Sequence, residues 1–184
     1  MKEGTKKTRH SFAIGPAIPL SNNSVSTVPS TNYKELKIGW DGSWTFVGDP
    51  FYKFENALSG LGFGGKVSYS MWERDSTLHP VTFLGVQGIL RYYLPLPTKN
   101  LNVFAQVGGG MFVGECGFSD PDTVDWKEAS SSFSPVIKST QYCPGFNFGA
   151  GIDLFVVELM PNITMVFTKN DVSAWLSLNL GMTF

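Results

Sequence analysis

Charged residues are scarce in this chain, so those that interrupt apolar stretches are the first candidates for chemistry. Lys37, Asp41, Lys66, Arg91 and Asp153 do this, and their signs are mixed. Charges withdrawn from water need partners, and the expected couples are Asp41 with Lys66 and Arg91 with Asp153. Their chemistry would be electrostatic, either a structural plug across an interior or a gated path for ions. Cys116 and Cys143 bracket one long connection. In an oxidising compartment such a pair reads as a disulfide, restricting the unfolded chain by roughly 3–4 kcal/mol; two free thiols are the alternative. The same connection carries Asp120, Asp122, Asp125 and Glu128. Alternate acids suggest calcium, but Pro121 and the lack of a glycine turn spoil the loop pattern, leaving a solvated acidic loop. Only His10 and His79 offer an imidazole, and no Ser-His-acid or paired-carboxylate arrangement can be read around either. Phosphate loops, dinucleotide fingerprints and metal-spaced Cys/His sets are missing too. The expectation is no catalytic residue, no cofactor and no metal.

These side chains must be positioned by something other than helices. The chain has 184 residues with net charge −1 and only 16% charged residues, against 42% hydrophobic. A soluble domain usually carries nearer a quarter charged residues. Without a basic excess there is no electrostatic footprint for nucleic acid. Twenty glycines and eleven prolines cut the chain too often for a helical bundle, and no apolar run is long enough for a membrane helix.

What remains is period-two alternation, the signature of strands. One face holds Phe12, Ile14, Ile18 and Leu20; then Leu36, Ile38, Trp40, Trp44 and Phe46; then Leu61, Phe63, Val67, Tyr69 and Met71. It continues with Leu84, Val86, Leu90, Tyr92 and Leu94, and with Leu101, Val103, Val107, Met111 and Val113. Phe146, Phe148, Ile152 and Leu154 follow, then a short segment Ile163, Met165, Phe167, and last Leu176, Leu178, Leu180, Met182 and Phe184. That makes eight strands. The apolar face carries no charge, while the opposite face is rich in Gly, Ser and Asn and holds all five charges named above. A small closed barrel must fit its inner side chains into a narrow bore, so small residues belong inside and bulky apolar ones outside. Such a barrel is inside-out, and its solvent is lipid; closure satisfies every backbone group, as hydrocarbon requires. Phe83, Ile89, Tyr93, Phe104, Phe112 and Phe155 add bulk to the expected lumen. Trp44, Phe46, Tyr92, Tyr93 and Phe184 at one end, with Trp72 and Phe112 at the other, fit an interfacial aromatic belt.

The expected outer connections are 21–35, 75–80, 114–144 and 169–173, and the opposite ones are 47–60, 96–100 and 157–161. Longer loops on one side and shorter turns on the other follow the barrel rule. Pro16 and Pro19 are awkward in a closed sheet, and a bulge or early strand end near Pro16 is expected. Lys2, Lys6, Lys7 and Arg9 ahead of FAIGPAIPL imitate a signal peptide. Two prolines and the lack of a small-x-small site argue against one, and removing this strand would leave an odd count. The reading is therefore a single domain over residues 1–184, with the first eight or so residues a disordered tail and no signal peptide in the chain.

The stretches GVQGILRYYLPLPTKNLNVFAQVGGGMF, GFNFGAGIDLFVVELMPNITMVF and LSLNLGMTF make this sequence resemble the small outer-membrane β-barrels typified by the outer-membrane protein A transmembrane domain. Leu178, Leu180, Met182 and Phe184 match the terminal insertion signal of such barrels. The resemblance implies a closed, eight-stranded, up-and-down antiparallel transmembrane barrel in the outer membrane of a two-membraned bacterium. It implies contact with outer-membrane lipids, assembly by the barrel insertase, and a structural or host-contact role for a monomer whose external loops meet extracellular ligands. With the chain stopping at Phe184, tethering to the cell wall through a further domain is not implied. A passage for small hydrophobic molecules, as in barrels resembling outer-membrane protein W, stays open as the alternative, with a soluble ligand-binding barrel third.

Overall fold

The computed structural model describes residues 8–20, 38–48, 60–73, 81–94, 101–114, 141–168 and 172–184. Among them are eight strands: β1 (Thr8–Pro19), β2 (Gly39–Gly48), β3 (Leu61–Trp72), β4 (Val81–Tyr93), β5 (Leu101–Gly114), β6 (Gln141–Leu154), β7 (Val157–Phe167) and β8 (Val172–Thr183). Each pairs antiparallel with its sequence neighbour, and β1 pairs with β8 to close the barrel. With an even number of strands both termini lie at one end, where His10 and Phe184 exchange backbone hydrogen bonds of 3.2 and 2.9 Å.

The alternation read from the sequence is the alternation of burial. On β3, Gly62, Lys66, Ser68, Ser70 and Trp72 are buried while Phe63, Val67 and Tyr69 are exposed. The outward wall is apolar around the barrel, with Ile14 62%, Val86 60% and Leu180 58% exposed. Exposed apolar surface on this scale far exceeds what a soluble monomer presents, and it suits a hydrocarbon solvent. Leu178, Leu180, Met182 and Phe184 are all part of that wall.

Four expectations about local structure change. Pro16 causes no bulge and does not end β1. The β1–β8 register is the same on either side of it, Ile14↔Leu180 and Ala17↔Ser177, and the ladder merely skips Gly15 and Pro16. A proline removes one donor without adding a residue, so a rung is lost and the register survives. Residues 157–161 are not a connection: β7 begins at Val157, and Phe155 and Val156 alone turn the chain between β6 and β7. Phe155 takes a left-handed φ of 57° there, which a two-residue hairpin turn demands and a phenylalanine accepts at a cost. Phe155 is therefore at the rim, 70% exposed, and adds nothing to the lumen. Cys143 lies inside β6 rather than in the loop preceding it, with its side chain buried in the barrel. Finally, Trp72 and Phe112 belong to the inward face and not to an interfacial belt. Trp44, Phe46 and Phe184 do face outward near the terminal end.

The barrel lumen as candidate functional site

Inward side chains fall into three zones along the barrel. At the end remote from the termini, Trp72, Phe83, Phe112 and Trp175 pack together with Val81, Val166 and Cys143 around them. Trp175 stands edge-on to Trp72 at 4.8 Å and stacks on Phe83 at 5.6 Å. The Trp72 indole N–H donates to the Ala17 carbonyl at 3.1 Å, fixing the ring across the bore from β3 to β1. Edge-to-face and stacked rings at these distances are the favourable arrangements for aromatic side chains.

The middle zone is polar. Asp41 accepts from Ser70 Oγ at 2.6 Å and from Asn179 Nδ2 at 3.0 Å. Asn179 reaches Asp41 across β1 because Gly15, which has no side chain, stands between them. A Cβ at Gly15 would run into the Leu178 carbonyl, so only glycine lets β8 come this close. Gln87 Nε2 donates to Ser68 Oγ at 3.2 Å, and Asn179 Nδ2 also reaches Ser177 Oγ at 3.3 Å. Gln87 Oε1, Asn147 Nδ2, Asn162 Oδ1 and Asn179 Oδ1 are buried without a hydrogen-bond partner among the described residues. Polar atoms of this kind call for water.

The zone nearest the termini is charged. Arg91 on β4 crosses the lumen to Glu158 on β7, Nη1 to Oε2 2.8 Å, with both side chains 1% exposed. Its Nε and Nη2 both donate to Gln106 Oε1, at 3.0 and 2.8 Å, and its guanidinium lies 4.0 Å over the Phe104 ring. Arg9 on β1 crosses to Asp153 on β6 at 3.4 Å, its guanidinium 4.4 Å over Tyr93. Asp153 and Glu158 face each other across the β6–β7 ladder. Two acids side by side are thus held by two arginines from the other side of the barrel.

Asp41, Lys66, Arg91 and Asp153 are all buried in the lumen, and Lys37 lies outside the described residues. The couples differ from those expected. Arg91 takes Glu158 rather than Asp153, Asp153 takes Arg9, and Asp41 is held by neutral donors rather than by Lys66. Lys66 is buried in the lumen and forms an ion pair with neither Asp41 nor Glu158. Glu158 and Arg9 are the residues the sequence reading missed. The signal for Glu158 was present, because Val157, Leu159, Pro161 and Ile163 continue one parity and put Glu158 on the other. Cys116, His79 and the acids Asp120, Asp122, Asp125 and Glu128 lie outside the described residues. Among the described residues no cluster of His, Cys, Asp and Glu could hold a metal ion. His10 faces outward at the rim, stacked on Trp44.

The closed antiparallel arrangement has close counterparts among solved structures. The outer-membrane enzyme PagL superposes with a TM-score of 0.55 at 12% identity over 96% of this chain and 98% of that one. The fold is that of the small eight-stranded outer-membrane barrels. Neisserial surface protein A superposes with a TM-score of 0.54 at 10% identity, covering 96% and 94% of the two chains. Outer membrane protein OprG of Pseudomonas aeruginosa gives 0.50 at 12% identity over 98% of each chain. No family model and no curated protein matches the sequence. One of the three is an enzyme and the others are not described as such, so this fold by itself neither requires nor forbids catalysis.

Proposed function

We propose that this chain is an integral outer-membrane barrel whose own side chains plug its lumen, leaving a structural role and a surface for extracellular ligands or host partners on its external connections. The observation that carries the plug is the pair of trans-lumen ion pairs, Arg91–Glu158 and Arg9–Asp153, at one end of a bore whose other end is filled by Trp72, Phe83, Phe112 and Trp175. An eight-stranded bore is about as wide as the side chains that fill it, so a ring cluster at one end and crossed arginines at the other suffice to stop ions. The unpartnered polar atoms in between would be satisfied by enclosed water, so the lumen in this reading is a closed wet chamber rather than a channel.

The termini lie on the periplasmic side in this reading, and the connection between β5 and β6, the longest between successive strands, faces outward. Cys143 is a free thiol in the structure; we propose that oxidation joins it to Cys116 and so ties that connection to β6. Leu178, Leu180, Met182 and Phe184 present the outward alternation and terminal aromatic that the insertase would read. The barrel works as a monomer in outer-membrane lipids, without catalysis.

Passive passage of small hydrophobic molecules is the second reading, favoured by the apolar cluster around Trp175. Against it stand Asp41, Lys66, Arg91 and Glu158 directly below, since an apolar solute gains nothing from such a lining. Refolding the protein into ion-loaded vesicles tests the plug. Retention of the ions after insertion supports it, and rapid efflux on a scale with open channels overturns it.

A further inference from the structure

The two arginines of the charged zone are held very unequally. Arg91 is 1% exposed, and its guanidinium is taken up by Glu158, Gln106 and the Tyr93 hydroxyl. Arg9, the second residue of β1, stands nearer the opening at the terminal end, with its side chain 30% exposed. Asp153 at 3.4 Å and the face of the Tyr93 ring are its contacts. That separation is well beyond the roughly 2.7–2.9 Å of a tight charge-assisted bond. A guanidinium carries a fork of N–H donors, so most of those on Arg9 are available at the mouth.

Asp153 is the fixed half of the pair. Its Oδ2 takes Arg9, while Oδ1 is buried with no hydrogen-bond partner among the described residues. A carboxylate oxygen withdrawn from water calls for a donor. Glu158, on one side of Asp153, is already engaged by Arg91. On the other side its register partner is Asn102 of β5, a partly exposed residue on the same inward parity as Phe104 and Gln106. The mouth therefore sets a carboxylate and a side-chain amide opposite a movable guanidinium.

We infer that this mouth binds a small zwitterion, an α-amino acid being the simplest, with its ammonium on Asp153 Oδ1 and the Asn102 amide and its carboxylate on Arg9. Charge selects the class. A simple amine on Asp153 would compete with Arg9 and leave the guanidinium without its partner, and a simple carboxylate on Arg9 would do the same to Asp153. Stranding one half of a partly buried pair is unfavourable. A ligand with both charges replaces both halves and leaves the mouth neutral. The short spacing of the two charges in an α-amino acid asks only that Arg9 swing aside, which its exposure and its single long contact allow. A phosphatidylethanolamine headgroup shares this chemistry, but the site faces the bore and opens to water, which favours a free solute. The site rests on lumen geometry at one end and stands or falls apart from the plug.

The test uses the barrel refolded into phosphatidylcholine nanodiscs, which contain no primary ammonium. Glycine binding is followed by saturation-transfer NMR, with ethylamine and acetate as single-charge probes. Saturable glycine binding is expected, at least tenfold tighter than that of either probe. Asp153→Asn and Arg9→Gln should each weaken it at least tenfold, and Arg9→Lys, which keeps the charge, should retain most of it. No saturable glycine binding overturns the site, as do single-charge probes that bind equally well or single variants that bind like the wild type. Equal loss in Arg9→Lys and Arg9→Gln would overturn the role of charge. Glycine binding abolished by adding phosphatidylethanolamine to the nanodisc would overturn the free solute in favour of the headgroup. A conducting barrel, by contrast, would overturn the plug and leave this site untouched.

Discussion

Replacing Glu158 by Ala strands the Arg91 guanidinium inside the barrel, and the size of the effect follows from the geometry. At an effective dielectric of about 20, unit charges 2.8 Å apart attract by about 6 kcal/mol before desolvation is subtracted. Measured losses on breaking one side of a buried pair run at about 3–5 kcal/mol. Arg91 keeps its two bonds to Gln106 Oε1 after the change, so the lower end, about 3 kcal/mol, is expected. Asp153→Ala removes a partner of Arg9, which is 30% exposed and 3.4 Å away. Solvent screens that pair, and about 1 kcal/mol or less is expected. The double replacement Arg91→Met with Glu158→Leu removes both buried charges and should fall near the wild type. Urea-induced unfolding of the barrel refolded in lipid vesicles ranks the four proteins. If Asp153→Ala cost more than Glu158→Ala, Arg91 would be paired as the sequence alone suggested, and the lumen network described above would be wrong.

Other substitutions have equally definite outcomes. Gly15→Ala places a methyl against the Leu178 carbonyl and should cost more than about 2 kcal/mol, within the range for overpacking; loss of the heat-sensitive gel-mobility shift of a closed barrel reports it, and normal closure would refute the collision. Phe155→Gly relieves a left-handed φ of 57° and should raise stability by about 1 kcal/mol, unless the urea midpoint falls because the ring anchors the rim. Trp72→Ala opens a cavity and removes the bond to the Ala17 carbonyl, an expected loss of about 3–5 kcal/mol in the same assay. For the Cys116–Cys143 pair, alkylation in denaturant should leave the mass unchanged until reductant is added; labelling without reductant would mean two thiols.

Strand number, parity and the inside-out arrangement were legible because burial in a barrel repeats every two residues, and a dozen such residues on β3 leave little room for a shift. The partners of the lumen charges were not. Which residues meet across a bore depends on the stagger of strands that are far apart in sequence, as with Arg9 and Asp153, and no local pattern encodes it. β7 was read short because Leu154 to Leu159 is nearly continuous apolar sequence and the turn at Phe155–Val156 contains neither glycine nor asparagine. That error also hid Glu158, the one acid that Arg91 uses. Arg9 stands in sequence with Lys2, Lys6 and Lys7 as the basic region of a signal-peptide mimic, yet its place one residue into β1 brings it over the lumen. Trp72 and Phe112 share the parity of the buried residues on β3 and β5, and that parity outweighs the preference of aromatic rings for an interface.

The proposed plug is tested most directly by single-channel recording of the refolded protein in a planar bilayer, with insertion verified independently. The wild type should be silent, and a variant carrying Trp72→Ala, Trp175→Ala, Arg91→Met and Glu158→Leu together should conduct in discrete steps. Stable unitary conductance from the wild-type barrel would contradict the plug and make the lumen a channel.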